Sequence, residues 1–115
     1  MRKKLSTLGT TALLTVSLLA VGSAPPAHAA VTKVVKMTNS DTFSPTPITI
    51  HKGDSIKWKN TSASTPHTTT SGSWNSGNMN PGATFTHKFG TTGTFKYYCK
   101  YHKSLGMVGK VIVKP

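Results

Sequence analysis

The chain has 115 residues, of which 14 are Lys or Arg and two are Asp or Glu, a formal net charge of +12 at pH 7. This length allows one domain, and so strong a positive field favours acidic partners. The lysines are scattered singly and the one arginine is Arg2, which argues against a surface that reads nucleic acid. The single cysteine excludes an intrachain disulfide.

The first 29 residues are predicted to be a cleaved signal peptide. Residues 2–4 are basic, and residues 5–21 are apolar, interrupted only by Ser, Thr and Gly. The Ala-His-Ala triplet at 27–29 supplies the small residues that signal peptidase needs, so the cut is expected before Ala30. The alternative is a retained membrane anchor, which we disfavour because the run is shorter than the ~20 apolar residues of a spanning helix. Residues 30–115 are then a secreted domain, periplasmic or extracellular.

Beyond the signal peptide, the chain is predicted to form short strands between turns rich in glycine and proline, without helical periodicity. The predicted strands are residues 31–38, 48–51, 55–60, 84–89, 94–99 and 108–114. Ile56 and Trp58 alternate with lysines in SIKWKN, which is the pattern of a half-buried strand. About seven to eight short strands at this spacing indicate an all-β Greek-key β-sandwich.

The stretch Cys99-Lys-Tyr-His102-Lys-Ser-Leu-Gly-Met107 contains a thiol, an imidazole and a thioether. Soft thiolate and thioether donors beside an imidazole favour copper over hard cations. The best candidate for a fourth donor is His67, because it directly follows Pro66 at a loop-to-strand junction that can hold an imidazole still. Two histidines, one cysteine and a weak axial methionine make the trigonal blue-copper electron-transfer site.

His87 has two interpretations. It alternates with Phe85 and Phe89 on one face of a predicted strand, so it is either a core histidine or, if the strand is locally shifted, a solvent-facing one. We do not expect it to bind the metal, because the four other donors already complete the site. The methionines of a copper-chaperone cluster would neighbour other methionines or histidines, and neither Met37 nor Met79 does. Met37 is therefore expected in the core and Met79 in a loop.

The segments PHTTT, SGNMNPGATFTHKFGTTGTFKYYC and VGKVIV, with the spacing C-x2-H-x4-M, resemble the cupredoxins of the plastocyanin, amicyanin and pseudoazurin group. The resemblance covers nearly all of residues 30–115. It implies a cupredoxin-like sandwich that holds one type 1 copper ion through His67, Cys99, His102 and Met107. It also implies that Tyr98, next to the cysteine, is an exit for the electron.

The chain departs from the plastocyanin pattern at two positions beside the implied ligands. Plastocyanins usually have proline between the cysteine and the loop histidine, where this chain has Tyr101. They also have asparagine after the first histidine, whose backbone and side chain brace the two ligand loops, where this chain has Thr68. Both departures touch groups that orient the ligands, so they bear on the redox potential more than on the choice of metal.

The resemblance implies an extracytoplasmic electron carrier that cycles between Cu(I) and Cu(II) and is not an enzyme. The alternative is a copper-binding or delivery protein with the same fold and no redox shuttling. We expect a monomer that binds no nucleic acid, retains no membrane span and docks transiently on an acidic redox protein. The expected docking surface is an apolar patch flanked by lysines, and its members are Pro66, Leu105 and Gly106, with Lys100 and Lys103 beside them.

Overall fold

The computed structural model describes residues 28–115. All but the last two residues of the predicted signal peptide therefore lie outside the described residues, and its cleavage stays a prediction. The strands are β1 (Thr32–Met37), β2 (Phe43–Ser44), β3 (Ile48–His51), β4 (Ser55–Asn60), β5 (Thr84–Lys88), β6 (Gly93–Tyr98) and β7 (Val108–Lys114). A short 3-10 helix spans Lys103–Leu105. Within the described range, no helix has the length and apolar character needed to cross a membrane.

The strands form two sheets, in the orders β2-β1-β4-β5 and β3-β7-β6. β1 pairs with β4 and β3 pairs with β7 in parallel, whereas the other neighbours are antiparallel. The two parallel pairs, β1 with β4 and β3 with β7, join strands that are not consecutive in the chain, as expected when connections cross between sheets in a Greek-key sandwich. The predicted all-β sandwich is confirmed.

The two sheets enclose one hydrophobic core. Val35, Ile56 and Trp58 of the first sheet and Val111 of the second are fully buried. These residues follow the period-two alternation of their strands, so the predicted inward face of β4 is confirmed. Burying side chains of this size stabilises the fold by about 1.5–3 kcal/mol each relative to leaving them exposed.

The strand predictions were wrong in two details. β2 was not predicted, because a two-residue segment between turns is too short to show periodicity. Phe43 in β2 is nevertheless only 3% exposed. Val31 lies in the range 31–38 predicted for the first strand. It instead precedes β1 and is 42% exposed, while Met37 is fully buried as predicted.

His87 lies in β5 and packs among aromatic rings. Its ring centroid is 5.0 Å from that of Trp74 and 4.8 Å from that of Phe89. The side chain is half-buried, and this burial lowers the pKa of His87. The contacts therefore favour the core interpretation over the solvent-facing one.

Two long connections emerge at the same end of the sandwich. One joins Asn60 to β5 and the other joins Tyr98 to β7. Thr70 of the first connection pairs with Tyr98, with both N–H to carbonyl hydrogen bonds at 2.9 Å. We call this the loop end, and the opposite end, which carries the turns at 52–54 and 90–92, the turn end.

Candidate metal centre

Three of the four predicted ligands meet at the loop end. The Cys99 Sγ atom lies 3.8 Å from His67 Nδ1 and 3.4 Å from His102 Nδ1. Cys99 and His67 are fully buried, and the His102 side chain is 17% exposed. All three donor atoms lie within 4.8 Å of one another, which is a spacing that a single metal ion can span.

Met107, the fourth predicted ligand, closes the loop that begins at Cys99. Its side chain is fully buried. Its carbonyl accepts a hydrogen bond from the Cys99 N–H (3.0 Å), and its own N–H donates to the His102 carbonyl (3.1 Å). Gly106 ends the 3-10 helix at φ 88°, a left-handed conformation that favours glycine. The backbone thus holds both ends of this loop in register.

Two residues that the sequence analysis did not connect with the site support His67. The Met79 N–H donates to the His67 carbonyl (2.8 Å) and the His67 N–H donates to the Met79 carbonyl (3.0 Å). Met79 lies outside the strands as predicted, but it is only 3% exposed. The buried Asn60 amide donates to the carbonyls of Thr65 and Met79, both at 2.8 Å. A polar residue on the inward face of β4 was the signal that could have identified Asn60.

Thr68 joins the two ligand loops. Its N–H donates to the Cys99 Sγ atom (3.4 Å), and its hydroxyl accepts a hydrogen bond from the Lys100 N–H (2.8 Å). The hydroxyl also bonds with that of Thr70 at 2.9 Å. Thr68 is 1% exposed. Its contacts are those of a brace between the loops, the role that the resemblance gives to asparagine at this position.

Tyr101 makes a second connection between the loops. Its hydroxyl donates to the Asn78 side-chain oxygen at 2.8 Å, and Asn78 directly precedes Met79. The ring is 43% exposed. A proline at position 101 has no group that could make this contact, so the departure from the plastocyanin pattern adds a link between the cysteine loop and the segment that holds His67.

The outer nitrogens of the two imidazoles face acceptors. His67 Nε2 lies 3.1 Å from the Thr38 carbonyl, and the Asp41 carboxylate lies 4.0 Å from His67 Nε2 and 3.8 Å from His102 Nε2. Burial lowers the pKa of His67, which favours the neutral imidazole that metal binding requires. With the proton on Nε2, the Nδ1 lone pairs point toward the Cys99 sulfur.

The donor set fits copper. A cysteine sulfur and two imidazole nitrogens, with a thioether on the same loop, are the soft and borderline donors of blue-copper sites. The cluster is also shielded from water, because His102 alone among the three clustered donors reaches the surface.

A second group of potential metal donors, His28, His51 and Asp54, lies at the turn end. The Asp54 carboxylate accepts hydrogen bonds from the backbone N–H groups of Val31 and His51, both at 2.9 Å. These bonds hold the pKa of Asp54 at about 2. Because His28 belongs to the segment predicted to be removed, we interpret this group as a structural clamp on the start of β1.

The fold and the candidate site together define a class of protein: a single β-sandwich domain whose loop end carries a buried cluster of one thiol and two imidazoles. Comparison with known families agrees with this class, since residues 11–113 match the family model of the cupredoxin-like domain. The chain belongs to the cupredoxin-like family.

Its relatives include plastocyanins. The chloroplastic plastocyanin of Tetradesmus obliquus is 35% identical over 101 residues, an alignment that covers 76% of this chain and 69% of that protein. The plastocyanin of Synechococcus sp. (strain JA-2-3B'a(2-13)) is 31% identical over 118 residues, covering 87% and 86%. The predicted resemblance to the plastocyanin and amicyanin group is confirmed.

Solved structures show the same likeness. The purple cupredoxin from Nitrosopumilus maritimus superposes with a TM-score of 0.66 at 29% identity, covering 71% of this chain and 99% of that one. A mutant of amicyanin in its Cu(I) form superposes with a TM-score of 0.62 at 25% identity, covering 77% and 86%.

Proposed function

We propose that residues 30–115 work outside the cytoplasm as a type 1 copper electron carrier. The proposed ligands of its one copper ion are His67, Cys99, His102 and Met107. The observation that carries the proposal is the convergence of two Nδ1 atoms on the Cys99 sulfur, at 3.8 and 3.4 Å. When bound, copper would supply the one-electron chemistry, and the braced loops would keep its ligands in place as the charge changes.

The relatives support a carrier rather than an enzyme. Two of them are plastocyanins, and one structural neighbour is an amicyanin in its Cu(I) form. The proposed location outside the cytoplasm rests on the predicted signal peptide in residues 1–29.

An apolar patch at the loop end is the proposed docking surface. His102 is 17% exposed there, and Leu105, three residues along the chain, is 72% exposed. Pro66 and Gly106 are also exposed, as the predicted patch requires. Lys100 lies exposed beside the same loop, so we propose an acidic partner that docks weakly and leaves quickly.

Tyr98 is the proposed second route for the electron, in addition to the patch around His102. It is half-buried and directly precedes Cys99, so a covalent path through the backbone joins its ring to the cysteine. The Lys103 ammonium lies 4.2 Å from the ring centroid, a cation–π contact. This second surface is therefore also positively charged.

The copper centre is tested by visible spectroscopy on purified residues 30–115. Loading with one equivalent of Cu(II) is expected to produce an intense thiolate-to-copper absorption band. Cys99→Ala should abolish the band with unchanged far-ultraviolet circular dichroism, because alanine removes the thiolate and fits the buried position. His87→Gln is the matched control, a histidine outside the cluster, and should keep the band. A wild-type copper adduct without this band would contradict the proposal.

The same sample distinguishes electron transfer from copper delivery. A carrier should exchange electrons between its Cu(I) and Cu(II) forms much faster than it releases copper to a chelator. Slow self-exchange together with rapid copper release would support delivery instead.

A further inference from the structure

One of the two side-chain carboxylates in this lysine-rich sequence lies over the candidate metal centre. The sequence contains Asp41 and Asp54 and no glutamate. The Asp41 Oδ1 atom is 3.8 Å from His102 Nε2 and 4.0 Å from His67 Nε2, so a single carboxylate faces the outer nitrogens of both imidazoles. Its side chain is 31% exposed, whereas that of His67 is fully buried.

The turn that carries Asp41 is well defined. The Thr38 N–H donates to the Thr42 carbonyl (2.9 Å), the Asp41 N–H donates to the Thr38 carbonyl (3.2 Å), and the two threonine hydroxyls lie 2.6 Å apart. Asp41 has φ 56° and is, within residues 28–115, the one non-glycine residue with a positive φ. The Thr38 carbonyl also faces His67 Nε2, so one turn supplies both acceptors.

Resting on the copper centre proposed above, we propose that Asp41 is a positioning residue. Its carboxylate, with the Thr38 carbonyl, keeps the imidazole proton of His67 and of His102 on Nε2 and so leaves both Nδ1 atoms free for copper. Its negative charge also favours Cu(II) over Cu(I).

The physical basis is electrostatic. A histidine that binds metal through Nδ1 must carry its proton on Nε2, and a carboxylate facing Nε2 favours that tautomer. The separations of 3.8 and 4.0 Å are too long for direct hydrogen bonds, so the interaction is Coulombic. A charge this close stabilises the more positive copper state, and partial exposure of Asp41 weakens the effect without removing it.

The first test compares Asp41→Asn with Thr91→Lys. Asparagine removes the charge and tolerates the left-handed backbone, while Thr91→Lys adds the same unit of positive charge in an exposed turn at the turn end. The ratio of Cu(II) to Cu(I) affinities, measured from the reduction potential, should fall about tenfold in Asp41→Asn, a rise of ~59 mV for one electron. Thr91→Lys should leave the ratio within about twofold, since the added charge is distant and screened.

The second test needs no copper. Long-range 1H–15N NMR of the copper-free protein should show His102 with its proton on Nε2 in the wild type and a mixture of tautomers in Asp41→Gly. Glycine keeps the positive φ while removing the carboxylate.

The outcomes separate the two proposals. A wild-type protein without the thiolate–copper band would defeat the copper function, yet the tautomer measurement would still decide the role of Asp41. A normal wild-type band, together with equal reduction potentials for Asp41→Asn and Thr91→Lys, would overturn the proposed effect of the Asp41 charge on copper. Unchanged tautomers in Asp41→Gly would overturn the positioning role.

Discussion

At Thr68 a hydroxyl group occupies the position where plastocyanins usually carry a carboxamide. The hydroxyl belongs to a side chain that is 1% exposed, and it accepts a hydrogen bond from the Lys100 N–H at 2.8 Å. The Thr68 backbone N–H meanwhile donates to the Cys99 sulfur. Thr68 therefore contacts both the cysteine sulfur and the backbone of the residue that follows the cysteine. It connects the two ligand loops without an asparagine.

Thr68→Val is expected to weaken this brace. Valine has the same shape but leaves the Lys100 N–H without its acceptor, which should cost about 1–3 kcal/mol in the free energy of unfolding of the copper-free protein. The thiolate–copper band should also shift, because the cysteine loop is held less firmly. Urea unfolding and visible spectra measure the two effects. Thr68→Asn restores an acceptor and serves as the control, and equal behaviour of both variants would contradict the assigned role.

At the residue scale, local sequence motifs were enough to predict the ligands, but not to predict most of the residues that hold the ligands in place. Cys99 and His102 are three positions apart on one loop, so their proximity follows from chain geometry. Asp41 reaches the site from the turn between β1 and β2, and no local pattern marks that contact. Asn60 is marked only by its polarity on the inward face of β4, which does not reveal its partners. Sequence reasoning therefore identified the candidate donors and the neighbouring Thr68, and missed the supports that come from distant parts of the chain.

The pairing of β6 with β7 contains a close approach that only glycine allows. Gly109 lies opposite Tyr97 in the register. A Cβ atom at position 109 would lie 2.3 Å from the Tyr97 Cζ atom. The Tyr97 ring is 2% exposed and its centroid lies 5.3 Å from that of Trp58, so any shift of the ring disturbs the core. Its burial raises the pKa of Tyr97 to about 12.

Gly109→Ala is accordingly expected to destabilise the copper-free protein by about 1–3 kcal/mol, because overpacking displaces the buried ring. Gly90→Ala is the control, since no atom outside its chain neighbours lies within 4 Å of its added methyl group. That control should be neutral or stabilising by less than about 1 kcal/mol. Guanidinium unfolding measures the free energy of unfolding of both variants. Equal values for Gly109→Ala and Gly90→Ala would refute the requirement for glycine at position 109.

At the element scale, strands with a clear alternation were predictable and those defined by contacts were not. The alternation in β4 identified its buried face correctly. β2 exists because Met37 and Lys36 of β1 pair with it, which a two-residue segment cannot reveal. Gly109 lies in a strand that was predicted, but the need for glycine there depends on a ring in the neighbouring strand.

Over the whole molecule, positive charge dominates, with 14 basic and two acidic residues in the complete sequence. Removal of the predicted signal peptide takes away only three of these basic residues, so the folded domain keeps a positive field. Such a field accelerates the approach of anions and slows that of cations, and salt screens both effects.

Electron transfer to small reagents tests this field directly. The rate with an anionic oxidant such as hexacyanoferrate should fall as ionic strength rises, whereas the rate with a cationic cobalt or ruthenium complex should rise. Stopped-flow absorption at the copper band measures both. A rate with the anionic reagent that is independent of salt would show that the net charge does not act at the site of electron exit.

The termini of the described sandwich also have a defined position relative to the candidate site. Val31 contacts Asp54 at the turn end, and the Lys114 carbonyl accepts a hydrogen bond from Lys52 in the same region. Cys99 and His102 lie at the loop end, so the length of the sheets separates them from both termini. A linker, fusion partner or electrode attachment at either terminus would therefore leave the loop end, with its candidate site, facing away from the attachment.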